Sequence, residues 1–337
     1  MFGREDDDEE SMMTARGTDG SGSMRVWVSG DGLALARSER PVPEMTGDGV
    51  MVRVHAAALN NGDLRPSGEE HVAGFEFSGE VLRVGDHADI SLLGKRVCGI
   101  AAGTLADYVV ADRRHLLLAP ANLSDAEAAA TPTAFTTELG AAWTAGIVSG
   151  SSVLVTAGSS SLGLVAIQVA RELGAARVIA TTRTGGKAAA MRDAGADSVL
   201  VAEDERLAEV VLDATDGRGV DFVLDHLGGD ALDSVIASTV DGGTVVSVGR
   251  LAGGRGSVDL FALARRHVQL RSVSYDLTPP EVLGTLFDGF DRVLLSGVLA
   301  GRVRPIVGAS FAFDDADQAL ETLRAGITVG KIVVMVR

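Results

Sequence analysis

The sequence predicts an α/β protein: a parallel sheet with helices on both faces, joined to a smaller β-rich part. Two observations support this prediction. From about residue 151, strand-like runs such as RVIATT and DFVLD alternate with helix-like runs such as LGLVAIQVARELG, and such alternation is typical of a doubly wound parallel sheet. Residues 24 to about 120 contain closely spaced strand-like runs, such as VMVRVHAAAL and FEFSGEVLRVG, which Gly, Pro and Asp separate.

The composition is that of an apolar globular chain. Its 337 residues are 46% hydrophobic, which allows roughly two domains with large cores. The net charge of -16 argues against a nucleic-acid partner, because nonspecific binding needs clustered cations. No apolar run reaches the roughly 18 residues of a membrane span, and no secretory leader is recognisable. We therefore expect a cytoplasmic enzyme with a small-molecule substrate and no membrane partner.

Three local features set expectations along the chain. Residues 1–23 combine the acidic block EDDDEE with a Gly/Ser-rich end, and they predict a disordered tail. A helix is expected to begin after Ser124 and to be interrupted at Pro132. The single cysteine, Cys98, excludes an intrachain disulfide and lies in an apolar run, so we expect it to be buried.

The segment VTAGSSSLG, residues 155–163, joins a strand-like run to a helix-like run. The N-terminus of a helix offers unpaired N–H groups and a positive dipole end, and both favour a pyrophosphate. Glycines usually line such loops; here three serines, which are small and can donate hydrogen bonds, stand between two glycines. We expect the cofactor to contact the whole loop, which consists of Gly158, Ser159, Ser160, Ser161, Leu162 and Gly163.

The next predicted strand indicates which dinucleotide this loop binds. Proteins specific for NAD usually place Asp or Glu about 20 residues after the loop, where it binds the ribose 2′-OH. Here residues 180–187, ATTRTGGK, contain no carboxylate but include Thr182, Arg183 and Lys187. Cations attract a 2′-phosphate through charge-assisted hydrogen bonds. Cations at a helix N-terminus are otherwise unfavourable, so the sequence predicts NADP(H) as the cofactor.

With these features in view, residues 24–337 resemble the medium-chain dehydrogenase/reductase superfamily, and within it the zinc-free quinone oxidoreductases and enoyl reductases. The resemblance rests on VRVHAAALNNGDL, GFEFSGEVLRVG, LSDAEAAATPTAFTT, SSSLGLVAIQVARELGA, GVDFVLDHLGG and GKIVV. It implies a GroES-like catalytic domain, residues 24–125 and 276–337, and a Rossmann NADP(H)-binding domain, residues 126–275. It also implies a homodimer that pairs the edge strands of two Rossmann sheets near residues 257–275.

The resemblance also bears on metal binding. Zinc-dependent members carry Cys where this chain has Asn60, and His where it has Phe75. Neither residue replaces a thiolate or an imidazole as a zinc ligand, and one cysteine cannot form a four-cysteine site. The sequence therefore predicts no metal site. Short-chain reductases, the rival Rossmann enzymes, use a Tyr-x-x-x-Lys pair, which neither Tyr108 nor Tyr275 provides.

The resemblance further implies catalytic positions. It places Asn60 and Asp63 at the cleft and Thr136 near the nicotinamide. Asn60 would orient a substrate carbonyl, while Asp63 would bind substrate, hold a loop or simply form a turn. The stretch after Asp63 lacks the tyrosine that related reductases often use as a proton donor, which leaves Arg65 and His71 as polar candidates. The near-neutral pKa of an ordinary histidine makes His71 a candidate donor.

Further cofactor contacts are expected at two strand ends. His226 follows the run DFVLD and is expected near the cofactor ribose or nicotinamide. The segment SVGR, residues 247–250, is implied along the cofactor, with contacts from Val248, Gly249 and Arg250.

Without a metal, hydride transfer to an activated carbon–carbon double bond or to a quinone is feasible. The leading hypothesis is a zinc-independent, NADPH-dependent reductase of an apolar enone or quinone, or an enoyl reductase. The short loop without tyrosine keeps open a redox-neutral cyclase or lyase on the same scaffold. A non-catalytic NADPH-binding protein is the third alternative.

Overall fold

The computed structural model describes residues 22–30, 34–45, 47–65, 68–203, 206–275 and 279–337. The predicted disordered tail, residues 1–23, lies outside the described residues except at its last two positions. The described chain forms a six-stranded sheet, a seven-stranded sheet and a small three-stranded sheet. Among the described residues, no helix is both long enough and apolar enough to cross a membrane.

The strands are β1 (Ser23–Ser29), β2 (Ala36–Pro41), β3 (Gly49–Leu59), β4 (His71–Val72), β5 (Glu76–Val84), β6 (Arg96–Ile100), β7 (Tyr108–Asp112), β8 (Leu116–Leu118), β9 (Ser152–Val155), β10 (Arg177–Thr182), β11 (Ser198–Val201), β12 (Val220–Asp225), β13 (Thr239–Ser247), β14 (Gln269–Ser272), β15 (Val307–Ala312) and β16 (Lys331–Met335). The α-helices are α1 (Asp125–Ala129), α2 (Pro132–Ala145), α3 (Ser161–Glu172), α4 (Ala188–Asp193), α5 (Leu207–Ala214), α6 (Leu232–Ala237), α7 (Leu260–Arg266), α8 (Pro280–Val293), α9 (Leu295–Leu299) and α10 (Ala316–Ala325).

The six-stranded sheet is parallel and runs in the order β11-β10-β9-β12-β13-β14. Numbered within this sheet, the order is 3-2-1-4-5-6, that of the Rossmann fold. The strand order reverses between β9 and β12, and ligands of such sheets bind in the crevice at the carboxyl ends of the strands at this switch point. The predicted fold class is therefore confirmed.

The seven-stranded sheet joins both ends of the described chain. The late strands β15 and β16 extend the order β15-β16-β3-β5-β6-β8, and β7 pairs with β3. Ile332 of β16 lies opposite Leu59 of β3 in antiparallel register. Strands from both chain ends thus share one sheet, as the resemblance implied, while the domain bounds given above stay a prediction.

Helix α2 lies between the two large sheets. Phe135 and Leu139 of α2 belong to one buried cluster that also contains Cys98 of β6 and Val155 of β9. The expected interruption is also observed: Ser124 caps α1 through Glu127, and Pro132 is the first residue of α2, where its missing N–H costs no helical hydrogen bond. Helix α2 therefore places its side chains where the two sheets meet.

Candidate cofactor and substrate sites

The serine-rich loop begins helix α3 with a side-chain cap. Ser160 is the N-cap, and its Oγ accepts a hydrogen bond from the Gly163 backbone N–H at 3.0 Å. The Gly158 N–H donates to the Thr181 carbonyl at 2.8 Å, which ties the loop to β10. The remaining N–H groups of the first helical turn have no acceptor within the helix. Such a helix start can hold an anion, so the geometry is compatible with the predicted pyrophosphate contact, which stays a prediction.

Both loop glycines are required by close packing. A Cβ at Gly158 would lie 2.8 Å from the Ala180 Cβ, and a Cβ at Gly163 would lie 2.6 Å from the Ala157 carbonyl oxygen. Ala157 itself has a φ of 47°, which is rare for a residue with a side chain. The serines, by contrast, are half-buried and accessible, so the loop combines a tight backbone turn with reachable hydroxyls.

Two cationic side chains follow β10, the second strand of the Rossmann sheet. Arg183 is exposed and Lys187 is half-buried, and neither side chain forms a hydrogen bond or an ion pair with any described residue. The Thr182 hydroxyl donates to the Thr184 carbonyl at 3.2 Å, which shapes the turn between them. Two cations that have no ion pair among the described residues, next to this loop, are suited to the 2′-phosphate of NADP(H).

The turn after β13 closes tightly on the end of β12. The backbone N–H groups of Val248 and Gly249 donate to the Asp225 carbonyl at 2.7 and 3.0 Å. A Cβ at Gly249 would lie 2.6 Å from the His226 carbonyl oxygen, so only glycine fits there. Arg250 is exposed and forms no hydrogen bond or ion pair with a described residue.

The side chain of His226 differs from the expectation that it contacts the cofactor. The residue is 1% exposed. Its Nδ1 lies 3.0 Å from the Thr156 carbonyl oxygen, and its Nε2 lies 3.0 Å from Oε1 of Glu138. Both ring nitrogens therefore face protein atoms, and the ring points into the interior rather than into the crevice.

Thr136 also differs from its expected role near the nicotinamide. It is 1% exposed, and its hydroxyl donates to the Pro132 carbonyl at 2.6 Å. Its helical neighbours Thr133 and Thr137 are half-buried, and residues four apart share one helix face. The accessible threonine face of α2 is thus that of Thr133 and Thr137, which the spacing of the threonines could have indicated.

Asn60 is held in a buried polar network. Its Nδ2 donates to Oε1 of Glu76 at 2.6 Å, and its Oδ1 accepts from the Lys331 ammonium group. Lys331 also donates to Oε1 of Glu76 at 2.5 Å, and Oε2 of Glu76 accepts from the Thr133 N–H at 3.0 Å. Glu76 is 0% exposed and Lys331 is 3% exposed. The amide that was expected to orient a substrate is therefore largely occupied by protein partners.

Asp63 and His71 line one cavity of about 190 Å³. Most of the other lining residues are apolar, among them Leu59, Phe75 and Leu105. Asp63 accepts the Asn60 N–H at 2.7 Å. Burial raises the pKa of Asp63 to about 7, although this hydrogen bond acts in the opposite direction. His71 is exposed, so Asp63 is the more enclosed acid of the two.

Two family models match separate stretches of this chain. The alcohol dehydrogenase GroES-like domain matches residues 46–121, and the zinc-binding dehydrogenase model matches residues 161–286. The chain belongs to the medium-chain dehydrogenase/reductase superfamily. Within this superfamily it belongs to the quinone oxidoreductase-like group.

Relatives and solved structures agree with this assignment. A 2-methylene-furan-3-one reductase of Solanum lycopersicum is 32% identical over 198 residues, 52% of this chain and 51% of that protein. The spectinabilin polyketide synthase protein NorB of Streptomyces orinoci is 31% identical over 330 residues, 94% of this chain but 14% of that protein. The chain thus spans about half or less of these two relatives.

Among solved structures, the quinone oxidoreductase of Thermus thermophilus, solved also as a complex with NADPH, is similar to this chain. It is 29% identical with a TM-score of 0.78, and the match covers 93% of this chain and 100% of that chain.

Asn60 and Phe75, which the resemblance places at the superfamily's zinc positions, are poor zinc ligands. Asn60 accepts a hydrogen bond from the Lys331 ammonium group, and a fixed cation at that point repels a divalent ion. The Phe75 ring packs on Gly62, where a Cβ would come within 3.1 Å of the ring, and it offers no lone pair. Among the described residues, no group of three or more His, Cys, Asp or Glu side chains could hold a metal ion.

Sequence reasoning missed the buried partners of these residues. Glu76 and Lys331 each begin a strand whose next residues are largely uncharged, and Glu138 is the single charge of an otherwise uncharged helix. Each was therefore recognisable as a buried charge that needs a partner. The partner itself was not recognisable, because it lies far away in the sequence.

Proposed function

We propose that this protein is a zinc-independent, NADPH-dependent reductase of a small apolar enone, enoyl compound or quinone. The observation that carries the proposal is the combination of the N-capped loop with Arg183 and Lys187, which have no ion pair among the described residues. NADP(H) is the dinucleotide that this charge pattern fits. The Thermus quinone oxidoreductase complex with NADPH and the tomato reductase support the same class.

When bound, the reduced nicotinamide supplies a hydride to the substrate. The chain's own residues bind the dinucleotide, exclude water and supply the proton that balances the reduction. We assign the substrate to the cavity beside Asp63 and His71 because its lining is mainly apolar with few polar groups. Asp63 is the better proton donor, since its pKa of about 7 keeps part of it protonated near neutrality.

Isotope transfer tests the proposal directly. The purified protein is incubated with a panel of enones, enoyl compounds and quinones in the presence of NADPH that carries deuterium at nicotinamide C4; NADPH oxidation is followed for the whole panel, and the enone and enoyl products are analysed by mass spectrometry. We expect NADPH oxidation and deuterium on carbon. NADPH binding without oxidation across the enone and quinone panel would contradict the proposal and would favour a redox-neutral lyase or a non-catalytic binder.

A homodimer belongs to the same proposal. All four residues of the edge strand β14 are exposed, and Leu260 and Phe261 of the preceding helix α7 are 73% and 76% exposed. An exposed strand edge next to exposed apolar side chains is suited to pairing with a second copy. Light scattering should report a dimer, and Phe261→Glu should shift it toward the monomer; a monomeric wild-type protein would contradict this part.

A further inference from the structure

A buried polar cluster lies at the switch point of the six-stranded sheet. Its members Glu138, Thr156, Asp225 and His226 are each at most 1% exposed. Thr156 follows β9 and His226 follows β12, at the carboxyl ends where the strand order reverses. Buried carboxylates and imidazoles cost free energy unless they are paired. A cluster of this kind beside a ligand crevice therefore requires an explanation beyond packing.

The hydrogen bonds determine how many protons the Glu138–His226 pair holds. Nδ1 of His226 faces the Thr156 carbonyl, which only accepts, so Nδ1 carries a proton. Nε2 lies 3.0 Å from Oε1 of Glu138, and that bond needs a second proton, on one atom or the other. Burial lowers the pKa of His226, but the charge and hydrogen bond of Glu138, helped by Asp225, outweigh burial and raise it.

His226 connects this proton to the turns that form the crevice. The backbone N–H of His226 donates to the Thr156 hydroxyl at 2.8 Å, and that hydroxyl donates to Oδ1 of Asp225 at 2.8 Å. Thr156 immediately precedes the serine-rich loop. The His226 carbonyl accepts the Leu251 N–H at 3.1 Å, which holds the turn after β13. The imidazole itself holds the Thr156 carbonyl through Nδ1, so a shift of the ring would move the first turn directly and the second turn through the His226 backbone.

The pair is only partly satisfied. Oε2 of Glu138 is buried and has no hydrogen-bond partner among the described residues. Tyr275, the other titratable group near Glu138, has its pKa raised to about 12 by burial and by that carboxylate, so it stays neutral near pH 8. Among the described residues, the His226 bond is the only hydrogen bond to this carboxylate.

We propose that Glu138 and His226 are positioning residues for NADP(H), whose shared proton keeps the turns at the switch point in the geometry that binds the dinucleotide. Once this proton is lost, the Nε2 lone pair faces a carboxylate, and attraction becomes repulsion. NADPH affinity then falls as pH rises through the deprotonation of the pair. The proposal rests on the cofactor part of the proposed function, and not on its substrate.

The test compares NADPH dissociation constants from about pH 7 to about pH 9.5. This range lies above the second pKa of a phosphate monoester, about 6, so the charge of the 2′-phosphate stays constant. We expect wild-type affinity to weaken by up to about tenfold per pH unit above the pKa of the pair. Glu138→Gln keeps the bond at every pH, because its amide N–H donates to a neutral Nε2. This variant should bind like the wild type at pH 7 and show no loss at high pH.

Two further variants separate positioning from packing. Glu138→Ala removes the partner of Nε2 and should weaken NADPH binding by about tenfold at pH 7, the worth of one lost buried hydrogen bond. Leu139→Ala opens a cavity at the neighbouring buried residue of α2 and should keep the wild-type pH profile. Thermal unfolding of each variant at pH 7 confirms that it is folded before its affinity is compared.

Three results would overturn the positioning role while NADPH binding persists: a wild-type affinity that is flat over this range, a Glu138→Gln variant with the wild-type slope, or a Glu138→Ala variant that binds as tightly as the wild type. A wild-type protein that binds no NADPH at any pH would instead overturn the cofactor assignment and, with it, the positioning role. Turnover is not needed for either conclusion.

Discussion

Two fully buried glutamates, Glu76 in the seven-stranded sheet and Glu138 beside the six-stranded sheet, are held in opposite ways. Both oxygens of Glu76 have partners: the Lys331 ammonium and the Asn60 amide at Oε1, and the Thr133 N–H at Oε2. Glu138 has one described partner, the His226 ring, and its second oxygen has none. One carboxylate faces an ammonium group, and the other faces an imidazole ring.

The same contrast extends to the surroundings of each glutamate. The network around Glu76 is closed among the described residues, so it holds β5, β16 and α2 together. The carboxyl edge of the six-stranded sheet is open, because Arg183, Lys187 and Arg250 form no ion pairs with described residues. Closed polar networks stabilise a fold, whereas open ones leave interaction energy for a ligand. The following predictions test this division, from the largest effect to the smallest.

Removal of the buried ammonium group should have the largest effect. Lys331→Met leaves Glu76 as an uncompensated buried charge, and we expect the free energy of unfolding to fall by about 3–5 kcal/mol. Urea denaturation measures the loss. Lys95→Met, at an exposed lysine, is the matched control and should change little. A Lys331→Met variant of wild-type stability would show that the network is not closed as described.

Removal of the cations should affect binding and leave stability unchanged. Arg183→Ala and Lys187→Ala should each weaken NADPH binding by about 10–100-fold, which corresponds to about 1.5–3 kcal/mol for a hydrogen bond to a charged group. NADH binding should change much less, because NADH has no 2′-phosphate. Isothermal titration with both dinucleotides measures the difference. Arg192→Ala, at an exposed position on α4, is the control; equal losses for NADH and NADPH would contradict the assignment.

Loss of the helix cap should lower both the stability of the fold and the affinity for NADPH, each modestly. Ser160→Ala removes the acceptor of the Gly163 N–H, and we expect a loss of about 1 kcal/mol in the free energy of unfolding. NADPH affinity should also fall, because the loop loses its fixed turn. Ser161→Ala, in the first helical position, should leave stability nearly unchanged. A loss from Ser161→Ala as large as that from Ser160→Ala would be inconsistent with the observed cap.

The contribution of Asp63 to the pH dependence of stability should be the smallest effect. Its folded pKa of about 7 lies above the ordinary value, so the folded state holds a proton that the unfolded state releases. The stability of the wild type should therefore fall as pH rises from about 4 to about 7. Because Asp63 is partly exposed, we expect about 0.5–1 kcal/mol from this group.

Asp63→Asn should remove this fall in stability between about pH 4 and about pH 7, as measured by urea denaturation at several pH values. Asp193→Asn, at an exposed aspartate, should keep it. An unchanged slope in Asp63→Asn would show that Asp63 is not the titrating group, and it would weaken Asp63 as the proton donor.

Much of the fold could be predicted because its signals are local. The alternation of RVIATT-like strands with amphipathic helices predicted the parallel sheet, and Ser124 and Pro132 predicted the break between α1 and α2. The Gly158 and Gly163 spacing predicted a tight loop, which the structure confirms through close backbone contacts. Each of these features depends on residues within one or two turns of each other.

The sequence by itself thus determined the fold class, the tight loop before α3 and the choice of NADP(H) as cofactor. The tertiary structure decided which side chains point into the crevice: it buries Thr136 and turns His226 inward. It also decided the pairing of buried charges, since Glu76 meets Lys331 across 255 residues and Glu138 meets His226 across 88 residues. Periodicity and capping report local geometry, whereas the partner of a buried charge depends on how distant strands and helices pack.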